Sequence, residues 1–181
     1  MNPETRTIEV EPYFDLEEFM AFCQETRVDG KLLEQLSRLW EHWLPILNVR
    51  EIKIGGKSVL AVWLPQEVEN EVDELFDKSP SQGFMINNLA QYLCMSAVGG
   101  LLPQVAGSGC APSPEPGQAL VQALSEAGLP CHLGTSLLPE RRYATVTWYP
   151  FKGGCEVCAL QDNCPKGNNF SVVLPGYEKE E

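Results

Sequence analysis

Apolar positions near the start of the chain recur at three- and four-residue intervals. In "DLEEFMAFCQETR", residues 15–27, Leu16, Phe19, Met20 and Cys23 share that spacing and Asp15 stands where a helix cap belongs. The pattern predicts an amphipathic helix. A wider stripe follows in Leu32, Leu33, Leu36, Leu39, Trp40, Trp43 and Leu44, until Pro45 interrupts it. A second helix is expected there, paired antiparallel with the first across a short Asp29–Gly30 turn.

The period then changes. Ile52 and Ile54 alternate with charged residues, Gly55–Gly56 reads as a two-residue turn of the primed type, and "SVLAVWL" is rich in strand formers. A β-hairpin is predicted over this stretch. Helical spacing returns through Val68, Val72, Leu75 and Phe76, with Pro65 ahead of them and acidic residues in the first turns, as a helix start favours.

Residues 79–114 carry no charged side chain at all. An exposed stretch of that length normally carries some, so its first half, roughly Phe84 to Val98, is expected to be a buried helix. Asn87, Asn88 and Gln91, together with Gly99–Gly100 and Pro103, exclude a membrane span. The second half, Gly99 to Pro114, reads as a glycine- and proline-rich loop holding Cys110, of the kind that serves a site or a lid.

Beyond it, Pro116, the Leu120, Val121 and Leu124 face and Gly128 mark a short helix. "CHLGTSLL" and "YATVTWYP" are then expected to pair as a second hairpin turning at "LPERR". The resulting fold class is α+β: amphipathic helices packed on a small antiparallel sheet built from two hairpins. Residues 1–150 are expected to form one domain, with 151–181 as a cysteine-rich metal-binding loop and tail packed on it.

Composition narrows the function. With 181 residues, 44% hydrophobic and 21% charged, the chain can bury a core without disulfides. The N-terminal stretch lacks the features of a secretory signal, so a cytoplasmic location is expected. In that compartment thiols stay reduced, and seven cysteines are an odd number to pair, which favours metal binding or redox chemistry. A net charge of -12 argues against nucleic acid and anionic membrane as partners.

Cys155, Cys158 and Cys164 fall within "GGCEVCALQDNCPKG", residues 153–167. Two thiolates separated by two residues can face one metal from a single turn. The flanking Gly153–Gly154 and Pro165–Lys166–Gly167 suit tight, irregular backbone. "CEVCALQDNC" resembles the C-x2-C-x5-C loop of the endonuclease III and adenine glycosylase family, and the start of the auxiliary motif in radical SAM maturases with a SPASM domain. The resemblance implies that Cys155, Cys158 and Cys164 ligate a [4Fe-4S] cluster. It spans about ten residues and implies a ligand type rather than an activity. Where those families place a fourth cysteine this chain has Trp148 or Asn168, and it lacks their catalytic motifs.

The expected hairpin supplies a candidate. If it closes near Pro139 and Glu140, Cys131 faces Trp148 or Tyr149, six residues from Cys155. Cys131 is therefore expected to complete the set, with Cys110 as its rival and His132 as the fourth donor of a zinc alternative. Cys23, Cys94 and His42 are expected to be packing or surface residues.

The expected function is that of a [4Fe-4S] protein, an electron-transfer or accessory component of a redox system with a protein partner. Lys152, Lys166, Trp148 and Tyr149 would lie near the exposed edge of the cluster. The alternative is a zinc-stabilised interaction module without chemistry. The chain shows no phosphate loop and no nucleophile elbow, which leans against an enzyme. A small molecule bound near residues 99–114, or at an open iron, is the remaining expectation.

Overall fold

The computed structural model describes residues 3–164 apart from 109 and 135. A four-stranded antiparallel sheet runs through the centre in the order β1 (Glu4–Thr7), β2 (Asn48–Ile54), β3 (Lys57–Trp63), β6 (Ala144–Trp148). β4 (Cys131–Leu133) and β5 (Leu137–Pro139) form a separate two-stranded ribbon. The helices are α1 (Leu16–Cys23), α2 (Gly30–Trp43), α3 (Gln66–Lys78), α4 (Pro80–Leu101), α5 (Pro103–Ser108) and α6 (Gln118–Glu126). The α+β class therefore holds. Among the described residues no helix is long and apolar enough to cross a membrane.

The sheet is covered on both faces, and strand parity decides which residue goes where. Val49, Leu60 and Val62 point into a large core with Phe19, Leu36, Trp43, Ile86, Leu89 and Leu93 from the helices. Ile52, Val59, Ala61, Trp63 and Val146 point the other way, onto Leu120, Leu124, Leu129 and Leu137. Their alternation in β3 explains why that strand reads as one continuous apolar run. The β2–β3 turn is as expected: Gly55 and Gly56 both have positive φ, at 55° and 80°, where side chains with a Cβ are strained.

The caps follow the sequence as well. Asp15 accepts from the amide of Glu18 and starts α1, while Asp29 accepts from the amides of Lys31 and Leu32 and starts α2. Asp29–Gly30 is thus a cap rather than a turn between helices. Gln24, at φ 56°, ends α1 at Cys23, the last residue of its apolar stripe. Both α1 and α2 pack on α4 instead of forming the expected close pair. An aromatic cluster joins them there, with Phe14 against Phe19 and Trp40, and Tyr92 against Phe19, Phe22 and Trp40.

Two further expectations are corrected. The uncharged segment is mostly helix: α4 continues through Gly99–Gly100 to Leu101, and α5 follows. The fully buried Val98 and Val105 and the nearly buried Leu102 keep the apolar face going, which offsets about 1 kcal/mol of propensity cost per glycine. The second hairpin does not form as expected. β4 turns back on itself, so Cys131 lies opposite Pro139 rather than Trp148 or Tyr149. β6 instead lines the open edge of β3, pairing Val59 with Trp148 and Trp63 with Ala144. That edge offers five paired positions to the β-branched run "ATVTW", whereas β4 offers three.

Candidate metal centre

The cysteine loop leaves the sheet at the end of β6. Its entry depends on glycine: Gly153 has φ 60°, and a Cβ there would collide with the Glu156 carboxylate. That carboxylate is held in place by accepting from the amide of Gly154 at 2.9 Å. The hydrogen bond to Gly154 draws the Glu156 carboxyl below its ordinary value, in keeping with an anion caught by an amide.

From Cys155 onward the backbone proceeds in three-residue steps. The amide of Cys158 donates to the carbonyl of Cys155 at 3.1 Å, that of Gln161 to Cys158 at 3.0 Å, and that of Cys164 to Gln161 at 3.4 Å. Cys155 therefore begins the first turn, Cys158 closes it and begins the second, and Cys164 closes the third. Cys155 is exposed, whereas Cys158 and Cys164 are half-buried. Among the described residues, no group of three His, Cys, Asp or Glu side chains is gathered as a metal ion would require.

Two distant segments grip this loop. The amide of Ser113 donates to Cys158 Sγ at 3.4 Å, and the amide of Ala159 donates back to the Ser113 carbonyl at 2.9 Å. The same segment is tied to the sheet, because the fully buried Thr147 donates its hydroxyl to the Pro112 carbonyl at 2.9 Å. On the other flank, Trp148 Nε1 donates to the Val157 carbonyl at 3.1 Å. The ammonium groups of Lys152 and Lys57 lie 5.3 and 5.7 Å from the Trp148 ring, within cation–π range.

The remaining cysteines divide by environment. Cys110 is half-buried and sits three residues before Ser113, in the segment that grips the loop. Cys131 packs against the smaller core with its Sγ 3.4 Å from the Leu129 carbonyl. Burial, with Glu140 nearby, pushes its thiol up to about 11. Cys94 is buried in α4 beside the Tyr143 carbonyl, its thiol pushed up to about 12 by burial. Burial also raises the half-buried Cys23 thiol. His132 is exposed and faces Glu140, with 3.4 Å between Nε2 and Oε1, and His42 is exposed on α2. Pro165, Lys166, Gly167, Asn168 and the rest of the expected tail lie outside the described residues.

Ser113, Thr147 and Glu156 carry no sequence signal of their part in holding the loop, since each contact has a main-chain group on one side: Ser113's own amide on Cys158 Sγ, the Pro112 carbonyl under the Thr147 hydroxyl, and the Gly154 amide on the Glu156 carboxylate. No family model, no curated protein and no solved structure matches the chain.

Proposed function

We propose that the chain is an iron–sulfur protein in which Cys155, Cys158 and Cys164 hold a [4Fe-4S] cluster, and that it serves as an electron-transfer or accessory component of a redox system. The observation that carries this reading is the amide of Ser113 on Cys158 Sγ. An amide aimed at a cysteine sulfur is the outer-shell contact that tunes cluster sites. The donor set fits as well: three thiols on a short loop are soft ligands, and Gly153 and the Glu156 clasp fix the entry to that loop. Metal binding would itself gather the three thiols, since ligation couples to local folding.

For the fourth position we favour Cys110 over Cys131. Three extended residues span at most about 10 Å, so Cys110 is tethered close to the Ser113 clasp. The pairing that would have brought Cys131 to the loop is taken by β3 instead. The bound cluster would supply single-electron chemistry. Around it, Trp148 braces the loop at Val157, and Lys57 and Lys152 give a local positive edge in a chain of net charge -12. Such an edge would steer an acidic partner.

The test is anaerobic purification followed by a visible spectrum, reductive titration, and iron and acid-labile sulfide analysis. A brown protein that bleaches reversibly, with iron and sulfide in cluster stoichiometry, is expected. A colourless protein holding zinc would replace this reading with that of a zinc-stabilised interaction module.

A further inference from the structure

On the face away from the smaller core, the extended stretch 9–13, α1, α4 and α5 border a half-open cavity of about 870 Å³. A volume of that order is typical of small-molecule sites, which run about 300–1,000 Å³. Its charged lining is one-signed: among the described residues Glu9, Glu11 and Glu18 border it, and no Lys, Arg or His does. The ion pairs of the described residues lie elsewhere, at Glu51, Glu140 and Asp73. Apart from Ser96, the rest of the wall is apolar or aromatic. Phe22 and Tyr92 stand with ring centroids 5.8 Å apart, and Tyr13, 72% exposed, comes from the extended stretch.

Tyr92 ties the aromatic wall to the charged rim. Its hydroxyl donates to Glu18 Oε2 at 3.1 Å, which holds that carboxylate at the cavity edge. Burial first, and the neighbouring Glu18 and Asp15 after it, push the Tyr92 hydroxyl up to about 12, so it stays a donor throughout the neutral range. Ala97, Gly99, Gly100 and Ala106 contribute small residues to the lining. A Cβ on Gly100 would meet nothing within 4 Å, which shows open space at the end of α4.

We propose that this cavity binds an organic cation, an amine or quaternary ammonium carried on an apolar body. Aromatic faces attract such a cation through their quadrupoles, the carboxylates supply the counter-charge, and the apolar wall takes the body of the ligand. A phosphate- or carboxylate-bearing ligand would meet three like charges. A bare metal ion would leave the aromatic wall unused. The proposal stands independently of the cysteine loop.

The test is calorimetric titration of the full chain with benzyltrimethylammonium, uncharged benzyl alcohol and anionic phenylacetate. The cation should bind at least about tenfold more tightly than either comparator, the ratio expected of a desolvated cation–π contact, and should weaken as salt is raised. Gly100→Trp, which projects into open space, should reduce cation binding at least about tenfold. The exposed pair Glu11→Gln and Glu18→Gln should reduce it while leaving the fold, checked by circular dichroism, intact. Equal affinity for the three probes, unchanged cation binding in folded Gly100→Trp, or no cation binding at millimolar concentration would overturn the proposal. So would tight binding of a basic amphipathic peptide that the small cation fails to displace.

Discussion

Ser113 and Cys158, 45 residues apart, are joined by an amide-to-sulfur hydrogen bond of 3.4 Å. The contact separates backbone from side chain cleanly. Ser113→Pro removes the donor, whereas Ser113→Ala keeps it. The proline variant should lose bound metal faster on dilution into chelator and shift the cluster potential downward, because an amide on the sulfur favours the more reduced, more negative state. The alanine variant should match the wild type, and equal behaviour of the two would show that the amide has no part in the site.

Cys110 and Cys131 give opposite expectations. Cys110→Ser should lose most of its metal on anaerobic purification, whereas Cys131→Ser should keep it and change stability only modestly, since its Sγ packs against the smaller core. Metal content per chain is the measurement. The reverse outcome would move the fourth ligand to β4.

Gly153→Ala sets a Cβ against the Glu156 carboxylate at a residue with φ 60°. Forcing a residue with a Cβ into that region costs about 1–3 kcal/mol. Because the strain is confined to the loop entry, metal retention should fall much more than the midpoint of urea unfolding. A global loss of stability with metal retained would contradict this.

Gly83 of α4 packs directly on Phe76 of α3. A Cβ there would lie 2.5–2.8 Å from atoms of Phe76, including its Cα. Gly83→Ala should therefore destabilise the fold by about 1–3 kcal/mol despite the better helix propensity of alanine. Urea denaturation checks it, and a stabilised variant would refute the packing assigned to these helices.

Arg142 reaches Asp73 with two hydrogen bonds of 2.7 and 3.0 Å. The first of the causes that hold the Asp73 carboxyl below its ordinary 3.8 is that hydrogen bonding. A depressed carboxyl contributes stability that is present above its unfolded value and lost as pH falls through its folded one. The deficit of Asp73→Asn should thus be constant near neutrality and shrink below about pH 4. Unfolding midpoints across a pH series measure it, and a deficit that grows on acidification would contradict the sign.

What could be read from the sequence was local. The stripes of α1, α2, α3 and α6, the Asp15 cap and the Gly55–Gly56 turn each follow from neighbours within a few residues. β1 could not be read, because its four exposed residues show no apolar alternation and it is held by backbone pairing with β2. The partner of β6 was misjudged for a related reason. Pairing by proximity favours the preceding strand, while the open edge of β3 wins because it is longer. The spacing of Cys155, Cys158 and Cys164 was legible, whereas the Ser113 and Thr147 clasps were not, since a main-chain group meeting a side chain 45 or 35 residues away leaves no mark in composition.

The most direct test of the central claim is native mass spectrometry of the chain isolated without oxygen. One mass increment corresponding to a single [4Fe-4S] cluster, lost on Cys155→Ser or Cys158→Ser, is the predicted result. A chain carrying one zinc, or no added mass when purified from iron-replete cells, would contradict it.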